Sequence, residues 1–144
     1  MKSKLVLTEE SKAALESDIA TRDKWAAALR SGKYTQNWGS MCDPNVPNSA
    51  CCLHVLEVEC NGLSWEAGSH IGYPSSVYER GFSQGSPVHF SGLLAEKLTA
   101  IDGGYGCYLP VKPDQWNDAL GLTFNQIADL LEHGEVEFEE HDDA

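Results

Sequence analysis

Two adjacent cysteines, Cys51 and Cys52, followed closely by His54 in "SACCLHVLEVECNG", are the residues whose types and spacing could do chemistry. A thiolate is the reactive form of cysteine, and a helix N-terminus favours it over the thiol because exposed backbone N–H groups stabilise negative charge. Asn48 or Ser49 can cap a helix over this stretch, and Asn61-Gly62 supplies a left-handed stop, which puts both cysteines in the opening turn. A Cys-His hydrolase or transferase also needs a base. His54 is a poor one, because helical geometry turns it about 200° from Cys52. His70 in "SHIGYP" or His89 in "PVHF" would have to fold back onto the thiol. The competing reading buries Cys52 and Cys60 in the core, since free cysteine is among the most buried residue types, and it is the preferred one.

Cysteines at 42, 51, 52, 60 and 107 lack the paired C-x2-C or C-x4-C spacing of a zinc ribbon or knuckle, so no metal is assigned. "GGYG" at 103–106 lacks the Lys-Ser/Thr of a phosphate loop and reads as a turn, and no cofactor is expected. An odd cysteine count with no export signal points to reduced thiols. "MKSKLVLTEESK" turns acidic before a signal-like core could form, and no run approaches the roughly 18 apolar residues of a membrane span, so a cytoplasmic protein without membrane contact is expected.

A second constellation precedes the cysteines. In "KYTQNW", Tyr34 and Trp38 offer stacking or packing surfaces and Gln36 a hydrogen-bonding group, while backbone amides near Cys51 could hold an anion with Lys33 to offset the protein's own negative charge. Lys33, Tyr34, Gln36, Trp38, Cys51, Cys52 and His54 together outline a site for a small nucleotide-like ligand or a host protein.

These residues need elements to position them. Residues 8–31 read as helix, with Thr8 as N-cap, Glu9 and Glu10 in the first turn, and Leu15, Ile19, Trp25, Ala26 and Leu29 at near-helical spacing. A break near Thr21, which could itself cap a second helix, leaves one long helix or two in series. Residues 33–49 form a loop rich in Pro and Asn. The cysteine stretch alternates too poorly for a strand; as a helix it gathers Cys52 or Leu53, Leu56 and Cys60 on a stripe with Glu57 outside. Residues 63–87 alternate aromatics with Gly, Ser and Pro, which suits short strands and ordered loops. "SGLLAEKLTAIDGG" reads as a short helix capped by Ser91, and "YGCYLP" as a strand. "TFNQIADLLEHG" carries a capping box at Thr123 and Gln126, an apolar face of Phe124, Ile127, Leu130 and Leu131, and a stop at Gly134. The sum is a small α+β domain over 1–134, with more helix than sheet, followed by an acidic tail over 135–144.

With 144 residues and 42% hydrophobic content the chain can bury one core. Its formal charge is −12, and residues 132–144 carry seven acids with no Lys or Arg. Such a balance disfavours direct nucleic-acid or anionic-lipid binding, which needs a positive footprint. It leaves room for an acidic inhibitor whose carboxylates imitate the phosphates of DNA.

Taken together, "KWAAALRSGKYTQNWG", "CCLHVL", "YLPVKPDQW" and "LTFNQIADLLEHG" resemble a family of small uncharacterised proteins abundant in bacteriophage genomes. Its members read approximately W-x-x-A-L-x-S-G-x-Y-x-Q, then C-C-L-G-V-L, then L-P-x-x-V-x-x-W, and end in F-x-x-I-A-D-x-I-E. The likeness covers residues 24–134 apart from 63–100. His54 stands where the family usually has glycine, and "YLP" lies unusually close to the final helix. The resemblance implies a phage accessory protein working by non-catalytic binding in the host cytoplasm, as in counter-defence by sequestering a nucleotide signal or masking a host protein.

Overall fold

A computed structural model describes residues 2–39, 42–60, 62, 65 and 90–140. Its elements run β1 (Lys2–Leu7), α1 (Glu9–Glu16), α2 (Ile19–Arg30), β2 (Thr35–Gln36), β3 (Ser49–Ala50), α3 (Cys52–Cys60), a 3-10 turn (Phe90–Gly92), β4 (Ala95–Ile101), β5 (Gly104–Cys107), α4 (Pro113–Asp118), α5 (Phe124–His133) and β6 (Glu135–Glu139). This is the expected α+β class. Among the described residues, no helix is long and apolar enough to cross a membrane.

The main sheet is antiparallel, in the order β5-β4-β1-β6. The first residues of the chain are therefore an inner strand. Leu5 and Leu7 alternate with Lys4 and Val6, and the buried set meets Ala95 and Phe138 in a core shared with the helices. Glu135–Glu139, expected as part of an acidic tail, is instead β6, with Glu139 opposite Lys2 and Val136 opposite Leu5. Phe138 is what ties it in: its ring is buried, while Glu135, Glu137 and Glu139 alternate with the inward residues.

The helix expected over 91–103 is also corrected. After the 3-10 turn, residues 95–101 extend between β1 and β5, because Asp102 and Gly103 both adopt positive φ, 44° and 84°, and reverse the chain in a two-residue hairpin turn. Ladder pairing on both sides overrides the weak helical pattern of "SGLLAEKLTAI".

The long amphipathic segment divides into two helices. The break falls at Ser17-Asp18, where the Asp18 carboxylate accepts from the Thr21 N–H at 3.1 Å and from its hydroxyl at 2.7 Å; Asp18 is the cap, and Thr21 is the residue it holds. Thr8 caps α1 as expected. α2 packs on α3 and α5, with Trp25 at the centre: its ring stacks on Phe90 at 5.8 Å between centroids, and its Nε1 donates to the Cys52 carbonyl at 2.9 Å. α5 has the reciprocal Thr123–Gln126 capping box and ends at Gly134 with φ 81°, both as expected.

Candidate functional site

The cysteine segment does form a helix, but its capping differs from expectation. Ser49 lies in β3, pairing with Thr35 of β2, and Asn48 has φ 62° in the preceding turn. Cys51 takes the capping position. Its carbonyl accepts from Val55 N–H at 3.1 Å and its sulfur from His54 N–H at 3.4 Å, so the thiol spends a lone pair on the helix it precedes.

Neither thiol of the pair meets solvent. Cys51 and Cys52 are 0% exposed, and the Cys52 Sγ donates to the Pro113 carbonyl at 3.4 Å. Burial pushes the Cys52 thiol well above its ordinary range, reinforced by Cys51 and by the carboxylates of Asp114 and Asp118. Burial likewise raises Cys60 to about 11. Desolvation overrules the preference of a helix start for thiolate, and the arrangement is the reverse of an activated nucleophile. The proposed alternative bases, His70 and His89, lie outside the described residues, as do the aromatics at 73, 78 and 82 of the stretch expected to form short strands and ordered loops.

The backbone amides near Cys51 are not open anion donors. The N–H of Cys52 donates to Asn117 Oδ1 at 3.3 Å, and that same oxygen accepts from Gln36 Nε2 at 2.9 Å. Gln36 Nε2 also donates to the Leu122 carbonyl at 2.7 Å, while Asn117 Nδ2 donates to the Asn37 carbonyl at 2.8 Å and to Asp118 Oδ1 at 2.9 Å. Asn117 is completely buried and joins the 33–49 loop, the start of α3 and the end of α4. The expected proximity of the aromatic loop to the cysteine helix is thus present. What fills the space between them is a closed amide network. Sequence reasoning missed Asn117; the Pro at position N1 of α4 in "KPDQWND" could have located the helix that carries it, though not its long-range partners.

His54 is 0% exposed, with Nε2 at 2.8 Å from the Trp65 carbonyl and Nδ1 without a hydrogen-bond partner. Burial holds its pKa below the ordinary imidazole value, opposed by that carbonyl. Trp65 is fixed in turn by its Nε1, which donates to the Ser49 carbonyl at 2.6 Å. Glu57, expected outside, is instead 1% exposed on the same helix, which packs against α2 and α4.

The remaining candidates stay near the surface. Tyr34 is buried along its ring, and its hydroxyl donates to Glu59 Oε1 at 2.5 Å; Lys33 Nζ donates to the same oxygen at 2.9 Å. The Tyr34 and Lys33 hydrogen bonds pull the Glu59 carboxyl below its usual range. Trp38 alone of the set presents a large apolar surface, at 56% exposure.

The chain matches no protein-family model, no curated protein and no solved structure. Function therefore rests on the chemistry of these residues. Among those described, no group of three or more His, Cys, Asp or Glu is gathered to hold a metal ion. The acids of β6 are partly compensated, since Glu137 pairs with Lys2 at 3.0 Å and Glu135 with Lys4 at 3.4 Å, which weakens a strand-borne imitation of phosphate charge.

Proposed function

We propose that this protein acts by non-catalytic binding, as a phage accessory protein that masks a host protein. The observation that supports this most directly is Trp38. Its indole stands out from the surface while the backbone on either side is held: Asn37 N–H donates to the Ala50 carbonyl at 2.8 Å, and Gly39 N–H to Asp118 Oδ1 at 3.0 Å. An exposed tryptophan on a rigid backbone is what a binding anchor needs, because it contributes large apolar contact with little conformational entropy to lose. The alternative occupant, a nucleotide-like signal, has less support, since Gln36, Tyr34 and the Cys52 amide are already committed to partners inside the protein. A Cys-His enzyme is opposed by the burial of both thiols. The host setting comes from the sequence resemblance.

The test compares the tagged wild-type protein with Trp38→Ala after expression in the host cell and cross-linking. A defined host protein retained by the wild type and weakened about 30-fold or more in the variant, at unchanged melting temperature, supports the reading. A nucleotide that raises the melting temperature of the purified protein and is recovered intact would replace it with sequestration.

A further inference from the structure

The two edges of the main sheet differ sharply. β6 carries Glu135, Glu137 and Glu139, and charged side chains on an edge strand discourage further pairing. β5, "GYGC", carries no charge at all, and no described strand lies beyond it. Four of the seven exposed large apolar side chains among the described residues, Ile101, Tyr105, Tyr108 and Leu109, lie in or beside this hairpin, the last 87% exposed.

The ladder identifies which groups this edge offers. Tyr108 N–H donates to the Lys97 carbonyl at 3.0 Å, so 97 and 108 are a bonded pair, and alternation along the antiparallel ladder makes 98/107 and 100/105 non-bonded pairs. The backbone N–H and C=O of Tyr105 and Cys107 therefore point away from β4. Between them is Gly106, over which the Ile101 side chain lies close enough to meet any added Cβ.

We infer that β5 is a self-association edge, on which a second copy of this chain pairs antiparallel about a twofold axis at Gly106 to give a continuous eight-stranded sheet. Tyr105 of one copy then exchanges two backbone hydrogen bonds with Cys107 of the other, and the reverse pair supplies two more, satisfying every outward group of the strand. Charge selects this occupant. A protein of net charge −12 meets itself most easily where acids are sparse, and pairing through β6 would oppose two sets of three carboxylates that Lys2 and Lys4 only partly compensate, whereas β5 itself carries none and has Glu96 of β4 as the carboxylate beside its Cys107. The same register carries the turn acid Asp102 of one copy towards the segment bearing Lys112 of the other, an attractive pairing. The proposal is independent of the role given to Trp38.

Sedimentation of the reduced full-length protein across a hundredfold concentration range tests it. The expected result is a reversible dimer of the 15.7 kDa chain that persists in Cys107→Ser and dissociates at least tenfold more readily in Tyr105→Lys/Cys107→Lys, with the variant's circular dichroism and melting cooperativity retained. Cys107→Pro, which deletes one outward N–H from each copy, should weaken the dimer similarly without adding charge. A monomer throughout the range, a dimer that vanishes in Cys107→Ser or a dimer indifferent to the edge lysines would overturn it.

Discussion

The carboxamide of Asn117 accepts the backbone N–H of Cys52 at 3.3 Å, so the start of α3 is tied to a side chain far along the sequence. Replacing Asn117 by Ala strands the buried Cys52 amide, removes one donor from the Asn37 carbonyl and releases one of the two bonds of Gln36. Each buried group left unpaired costs about 1–3 kcal/mol, and we expect a total near 3 kcal/mol in urea unfolding. Gln36→Ala should cost less, because Asn117 keeps its remaining partners.

Thiol reactivity should divide along the lines of burial. In native protein an alkylating reagent should modify Cys107 and leave Cys51 and Cys52 unlabelled until the chain unfolds. Local desolvation and then the Glu96 carboxylate hold the Cys107 thiol above its ordinary pKa, so its labelling should quicken with rising pH, and Glu96→Gln should accelerate it at neutral pH. Cys107→Ser should abolish the fast native phase and leave the slower labelling of half-buried Cys60, as counted by mass spectrometry.

Acid should find His54. Burial lowers its folded-state pKa below 6.5, so the unfolded chain takes up a proton as pH falls through that value while the folded protein resists it. Stability is then complete above pH 6.5 and declines below it, with a limiting slope of about 1.4 kcal/mol per pH unit for one proton. Denaturant titrations of wild type and His54→Gln down to about pH 5 should show the shallower decline in the variant.

Alkali should find Tyr34. Burial first, and then the bond to Glu59, raise its phenol from 10.0 to about 12. The unfolded chain loses this proton nearer 10, so folding weakens as pH rises through that range. Tyr34→Phe should remove this part of the alkaline sensitivity, together with a step in the wild-type ultraviolet titration displaced to the higher value.

What the sequence disclosed was whatever is decided locally. α5 was legible because Thr123, Gln126 and Gly134 sit within the helix they delimit. α3 was legible as a helix, but its cap was not, since a cysteine sulfur does the work usually given to Asn or Ser. β1 and β4 were illegible for a different reason: their conformation is settled by ladders joining residues 2–7 to 95–101 and 135–139, and no short window contains that information. At the site, the burial of Cys52 followed from residue type alone, whereas Cys60, expected to be buried with it, is only half-buried. The fate of Gln36 did not, because a group able to bind a ligand and one committed to Asn117 look identical in one dimension.

The placement of β1 between β4 and β6 sets an order on biosynthesis. Its residues leave the ribosome ahead of both neighbours, and Leu5 and Leu7 have no ladder to join until Lys97 and Ala95, about ninety positions on, have been translated. Between the synthesis of β4 and that of β6 the strand is paired on one side only, so a stall before Glu135 leaves its second edge open and the nascent chain a ready target for chaperones and proteases.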